Sequence, residues 1–169
     1  MCGIVGLYLK NKKLHSKLGL YLSGMIDSMS SRGPDSAGFA IYNNLKSKNF
    51  YKYSLSFNSN TSIKSFEKES IKHFNDLQFT NVSDHTIVYS SALPKKFIPY
   101  LKSNFKNISI VGYGKSIEIF KQVGNPKKVV KKFKLDKFSG SHGIGHTRMA
   151  TESAITTEGS HPYSTGEDE

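Results

Sequence analysis

A single cysteine among 169 residues rules out an internal disulfide, and a reducing, cytoplasmic setting is the default expectation. Tryptophan is absent, and no apolar run is long enough to span a bilayer, so no membrane partner is expected. The apolar opening MCGIVGLYLK is short and has no basic residue ahead of it, so it does not read as a secretory signal. Arginine is nearly missing as well. Only Arg32 and Arg148 occur, although the formal net charge is +11, and every other basic position uses lysine. A guanidinium offers a planar fork that grips a carboxylate through two hydrogen bonds, which an ammonium cannot do. A chain that otherwise avoids arginine but keeps two points to a need for that fork at both places, with chance retention as the alternative reading.

Hydrophobic residues make up 37% and charged residues 22%, which permits a packed core and excludes wholesale disorder. The basic balance raises nucleic-acid binding as a class. However, the lysines are dispersed through runs such as Lys127-Lys128 and Lys131-Lys132, and neither an RNP-like nor a helix-turn-helix pattern accompanies them. A lysine-rich solvated surface is the expected meaning of the charge, with no nucleic-acid partner.

Residues 2–9 read as a strand. Between Leu14 and Ser30, apolar residues recur at helical spacing (Leu14, Leu18, Leu22, Met25, Ile26, Met29), and the Arg32-Gly33-Pro34 segment closes that helix. Further strands are predicted at 38–42, 50–57, 85–89, 108–111, 116–123 and 143–151, and helices at 62–74 and 94–105. Another helix opens at Asn125-Pro126, where asparagine can cap and proline suits the first helical position. The tail from Thr156 to Glu169 reads as loop. Helices and strands mix without a regular βαβ rhythm, which points to an α+β fold.

Cys2 directly follows Met1 and precedes Gly3. If Met1 is trimmed, the thiol and a free α-amine share one residue. The amine titrates at about 7.7–8.0, so near neutrality it can take the thiol's proton and no histidine partner is needed. On its own, a second-position cysteine reads first as an ordinary small residue in a buried strand. His146 and His161 lack the spacing of a metal site and read as structural, so no metal is expected.

Three motifs change the weight of Cys2: MCGIVG at the start, RGPDSAG from Arg32 to Gly38, and GHTRMAT from Gly145 to Thr151. Together and in this order they resemble the class II, N-terminal-nucleophile glutamine amidotransferases. The longer stretches MIDSMSSRGPDSAGFAIY and GNPKKVVKKFKLDKFSGSHGIGHTRMATESAITTEGSHPYSTGED are similar to glutamate-synthase-like amidotransferase subunits, in particular those of N-methylglutamate synthases (methylamine–glutamate N-methyltransferases).

The resemblance implies an Ntn-hydrolase αββα sandwich, in which antiparallel sheets lie between helical layers, with an α/β insertion at roughly 80–135. By that resemblance Cys2 is the nucleophile and glutamine the substrate. Arg148 holds the substrate's α-carboxylate, Thr151 bonds its amino-acid head, and the main-chain carbonyl of Met149 meets the amide. Arg32, Gly33 and Asp35 form the turn beside the nucleophile strand, where Arg32 either orients the cysteine or serves the turn alone. No cofactor is implied for this chain; partner synthase subunits would complete a hetero-oligomer and bind FMN. The oxyanion-hole Asn-Gly and an aspartate for the substrate's amino group are expected beyond residue 169. The resemblance therefore implies a domain truncated at its C-terminus and poorly active alone. A non-catalytic amidotransferase-like subunit is the alternative.

Overall fold

The computed structural model describes residues 2–43, 49–58, 62–150 and 155–166. The chain forms two compact units, one of residues 1–43 and 119–163, the other of residues 44–118 and 164–169. The architecture is α+β, with two four-stranded antiparallel sheets and, among the described residues, four α-helices.

In the first unit, β1 (Gly3–Tyr8), β8 (His142–Arg148), β2 (Ser36–Tyr42) and β7 (Ile117–Val123) make a sheet in the order β1-β8-β2-β7. Strand β7 enters this unit at Ile119. Helix α1 (Leu18–Ser28) packs on β1 and β8, and α4 (Pro126–Lys132) on β2. The four-residue spacing of Leu18, Leu22 and Ile26 puts all three on one face of α1, where they are fully buried. Phe39 fills the middle of the same layer, with the rings of Phe120, Phe133 and Phe138 at 5.4, 6.1 and 5.8 Å. Asn125 caps α4 by accepting from the Lys127 N–H at 3.0 Å, ahead of Pro126, as the sequence suggests. The expected helix from Leu14 begins instead with a 3-10 turn at Lys12–Lys17, capped by Asn11, before α1 proper.

In the second unit, β4 (Gln78–Val82), β5 (His85–Ser90), β3 (Tyr51–Phe57) and β6 (Ile108–Gly114) lie in the order β4-β5-β3-β6. Helices α2 (Ile63–Ile71) and α3 (Pro94–Asn104) supply Phe66, Phe97 and Leu101 to one core with Tyr53, Leu55 and Val88. The opposite side of β3 carries a buried polar trio. Lys52 donates to Glu118 at 2.9 Å and to the Ser116 carbonyl at 3.2 Å, and the Tyr89 hydroxyl donates to the same carboxylate at 3.4 Å. Burial, and then the Glu118 charge, push the Tyr89 hydroxyl's pKa upward. The insertion expected at roughly 80–135 overlaps this unit over 80–118, while α4 belongs to the first unit.

Candidate functional site

Strands β1 and β2 both run antiparallel to β8, so their N-terminal ends meet its C-terminal end. Gly3 pairs with Thr147 and Ser36 with Arg148. One step beyond the last β1 pair, Cys2 falls across from Arg148. Side chains alternate along a strand, so Cys2, Arg148 and Ser36 project from one side of the sheet, while Thr147 projects from the side that carries α1. Cys2 is exposed and its thiol is free. Arg148 is half-buried.

The turn between α1 and β2 fixes this end of the sheet. The Thr147 hydroxyl donates to the Met29 carbonyl at 3.0 Å, tying the end of α1 to β8. Gly33 lies directly on the β8 backbone, and a Cβ there would meet the Thr147 carbonyl carbon at 2.4 Å and the Arg148 nitrogen at 2.5 Å. Only glycine permits that approach. Asp35 then clasps the strand end from both directions. Its N–H donates to the Arg148 carbonyl at 3.1 Å, and its carboxylate accepts from the Ala150 N–H at 2.8 Å. Gly33 and Asp35 thus set the backbone from which Arg148 projects. Arg32 is exposed in the turn, its backbone N–H donating to the Met29 carbonyl at 3.0 Å. Met149 is 45% exposed. Thr151 and Met1, and with Met1 the question of its removal, lie outside the described residues.

Residues 155–163 form a wall on the same side of the sheet, over β2 and β7. The segment is pinned by Lys121, whose ammonium donates to the carbonyls of Glu158 at 3.1 Å and Ser160 at 2.9 Å and lies 4.7 Å from the Tyr163 ring centre. A Cβ on Gly38 would meet the His161 carbonyl oxygen at 2.3 Å, so the wall touches the sheet backbone there. The His161 ring stacks on His146 with centroids 4.4 Å apart. The Arg148 guanidinium reaches this wall, with Nη1 3.7 Å from where a Gly159 Cβ would stand. The sequence alone reads 156–169 as loop and marks no role for Lys121. The contacts of Lys121 and Gly38 with the wall join positions some forty to a hundred and twenty residues apart, which no local pattern encodes.

The electrostatics of the wall follow from burial among cations. His146 is held neutral, its pKa depressed to about 4 by burial first and then by His161 and Arg148. His161 is lowered by burial, then by Arg148 and Lys121. Burial also lowers Lys121, with Glu158 opposing. An unfolded His146, with an ordinary value near 6.5, takes up a proton that the folded protein refuses until about pH 4. The contribution of this histidine to stability is therefore fully present above pH 6.5 and falls as the pH drops from there toward 4. Urea midpoints measured across this window are expected to decline for the native protein and to decline less steeply for His146→Gln.

Among the described residues, no group of three or more His, Cys, Asp or Glu side chains is arranged to hold a metal ion, and no helix is long and apolar enough to cross a membrane.

Comparison with known proteins gives two similarities that run along nearly the whole of this chain. The chain is 41% identical to the "Glutamine amidotransferase-like protein GlxB" of Rhizobium meliloti (strain 1021), over 100% of this chain and 56% of that protein. It is 30% identical to a "Putative glutamine amidotransferase" of Methanothermobacter thermautotrophicus, over 96% of this chain and 56% of that protein. The chain thus spans about half the length of the curated relatives it matches. No protein-family model matches it. These similarities support a glutamine amidotransferase domain.

Proposed function

We propose that this chain is the N-terminal part of a class II glutamine amidotransferase, in which Cys2, exposed as the first residue after loss of Met1, removes ammonia from glutamine. The observation that carries the reading is the pairing of β1 with β8. It brings an exposed free thiol and a half-buried guanidinium to the same end of one sheet, on the same side. The similarity to glutamine amidotransferase-like proteins supplies the substrate class.

The steps follow from the groups present. The α-amine of Cys2 takes the thiol proton, and the thiolate sulfur attacks the side-chain carboxamide carbon of glutamine. The C–N bond breaks, the proton moves to the departing nitrogen, and ammonia leaves a γ-glutamyl thioester. Water then attacks the thioester, releasing glutamate and restoring the thiol. Arg148 grips the α-carboxylate through its fork, a contact that places the carboxamide at Cys2 rather than reacting with it. Gly33 and Asp35 hold the strand end that carries Arg148; Met149 and Thr151 are proposed to meet the rest of the amino-acid head. The fold proposed for the complete domain is the Ntn-type sandwich. No metal or redox cofactor enters these steps.

The relatives' greater length fits a further domain or subunit that completes the site and receives the ammonia. A glutamate-synthase-like or N-methylglutamate-synthase complex, with FMN on a partner subunit, is the proposed setting, in the cytoplasm. The test is glutaminase activity of the full-length protein with and without the Cys2 thiol, and the activity is expected to be lost with it.

A further inference from the structure

Lys121 is 5% exposed. Withdrawing an ammonium from water is costly unless its donors find partners, and an unbranched apolar side chain would fill the same space without that cost. Its two hydrogen bonds go to the main chain, to the carbonyls of Glu158 and Ser160 at 3.1 and 2.9 Å. Those carbonyls flank Gly159, the residue that the Arg148 guanidinium stands against, with Nη1 3.7 Å from where a Gly159 Cβ would be. Tyr163 takes the carbonyl between them. Its hydroxyl donates to the Gly159 oxygen at 3.1 Å, while its ring centre lies 4.7 Å from the Lys121 ammonium. Two side chains thus hold three consecutive carbonyls. From within the segment, Thr156 Oγ1 accepts from the Gly159 N–H at 3.0 Å. Gly159 is therefore fixed at both of its main-chain polar groups.

We propose that Lys121, helped by Tyr163, is a positioning residue for substrate affinity: by fixing Gly159 it holds the Arg148 guanidinium ready for the α-carboxylate of glutamine, an inference that rests on the glutaminase reading above. The division of labour around Arg148 supports it. Gly33 and Asp35 fix the backbone from which the arginine projects, and they leave its long side chain free to turn. Ordering such a side chain during binding weakens affinity, and a wall that confines it beforehand removes part of that cost. Lys121 is placed to hold the wall from the sheet itself. It stands on β7, beside β2, and reaches the wall past Gly38. A Cβ on Gly38 would lie 2.5 Å from the Lys121 Cβ and 2.3 Å from the His161 carbonyl oxygen, so the glycine leaves the space that both need. A charge effect runs alongside. His161 feels both Arg148 and Lys121, so the two cations share one field, and a carboxylate drawn to the first is drawn by the second as well. Lys121 itself meets neither the thiol nor the carboxamide in this scheme.

The experiment uses Lys121→Met and Tyr163→Phe in the full-length protein. Lys121→Met keeps the stem and loses both bonds; it is expected to raise KM for glutamine about tenfold and to change kcat less than about threefold. Tyr163→Phe removes one bond without touching the lysine's charge, and a rise of about threefold in KM is expected. Its thermal midpoint should match that of the native protein, since Tyr163 is 58% exposed. Labelling of Cys2 by a diazoketone analogue of glutamine should slow in step with the rise in KM, while labelling by iodoacetamide, which has no carboxylate, should not change. In an Arg148→Lys background, where the fork is gone, Lys121→Met should add less than about a twofold effect. An unchanged KM in both variants would overturn the proposal, and so would full additivity with Arg148→Lys. A loss with Lys121→Met and none with Tyr163→Phe would assign the effect to charge instead of the wall. Iodoacetamide labelling that falls in step with glutamine hydrolysis would reduce Lys121 to a structural role. A failure of the broader reading looks different: no Cys2-dependent hydrolysis of glutamine by the unaltered protein.

Discussion

Replacing Cys2 by alanine in the full-length protein is expected to remove glutaminase activity by at least about a thousandfold, while leaving the fold intact. The size follows from chemistry. Without sulfur there is no thioester, and the residual rate is that of water attacking a positioned carboxamide. The fold should survive because the thiol is exposed and the residue sits just outside β1, with Gly3 the first paired position. The same experiment carries two further readouts. A glutamine-like electrophile should add one γ-glutamyl-type group per chain to the native protein and none to Cys2→Ala. Mass spectrometry of the mature N-terminus should find Cys2 first. A retained Met1 would block the amine that takes the thiol's proton and would move the chain toward a non-catalytic, amidotransferase-like role. Undiminished activity in Cys2→Ala would end the nucleophile assignment.

Most of the fold was legible because the first unit is built from locally consistent segments. Leu18, Leu22 and Ile26 announce a helix face, and Asn125-Pro126 announces a helix start. The misses have physical reasons. Strand β4 was not anticipated. It is a mostly polar strand of five residues at the sheet's edge, and it turns into β5 through Ser83, which takes φ 59 where glycine or asparagine is the usual signal. The final strand was expected to reach Thr151; it ends at Arg148, where Asp35 takes the backbone bonds that a further strand residue would have made.

The site divides in the same way. Cys2 and Arg148 stand out in the sequence as candidates because one is unusual in position and the other in kind. The 155–163 wall does not, since Lys121, Gly38 and His146 meet it only through tertiary contact. Gly38 only opens the strand predicted at 38–42, and a lysine in SIEIFKQV looks solvent-facing. Yet Lys121 is 5% exposed and holds two carbonyls of the wall. A buried lysine bonded to backbone rather than to a carboxylate leaves no mark in sequence.

The second large effect separates charge from geometry at Arg148. Arg148→Lys keeps the positive charge, the half-buried stem and the β8 backbone that Gly33 and Asp35 fix. It loses the planar fork, so one carboxylate oxygen of the substrate loses its donor. A hydrogen bond to a charged group is worth about 1.5–3 kcal/mol, which predicts a loss of roughly 10- to 150-fold in kcat/KM for glutamine. A larger loss is expected for Arg148→Met. The change should fall mainly on KM if the fork binds ground and transition states alike, and on kcat as well if misplacement moves the carboxamide away from Cys2. Labelling of Cys2 by a small electrophile that lacks an amino-acid head should be unaffected, because nothing in that reaction meets the guanidinium. If Arg148→Lys hydrolyses glutamine as well as the native protein does, the fork is not what holds the substrate. The scarcity of arginine elsewhere in the chain would then have no bearing on glutamine. If labelling by the headless electrophile falls in step with glutamine hydrolysis, Arg148 acts on the fold or on the thiol itself. In either case the carboxylate would have to be held by another cation.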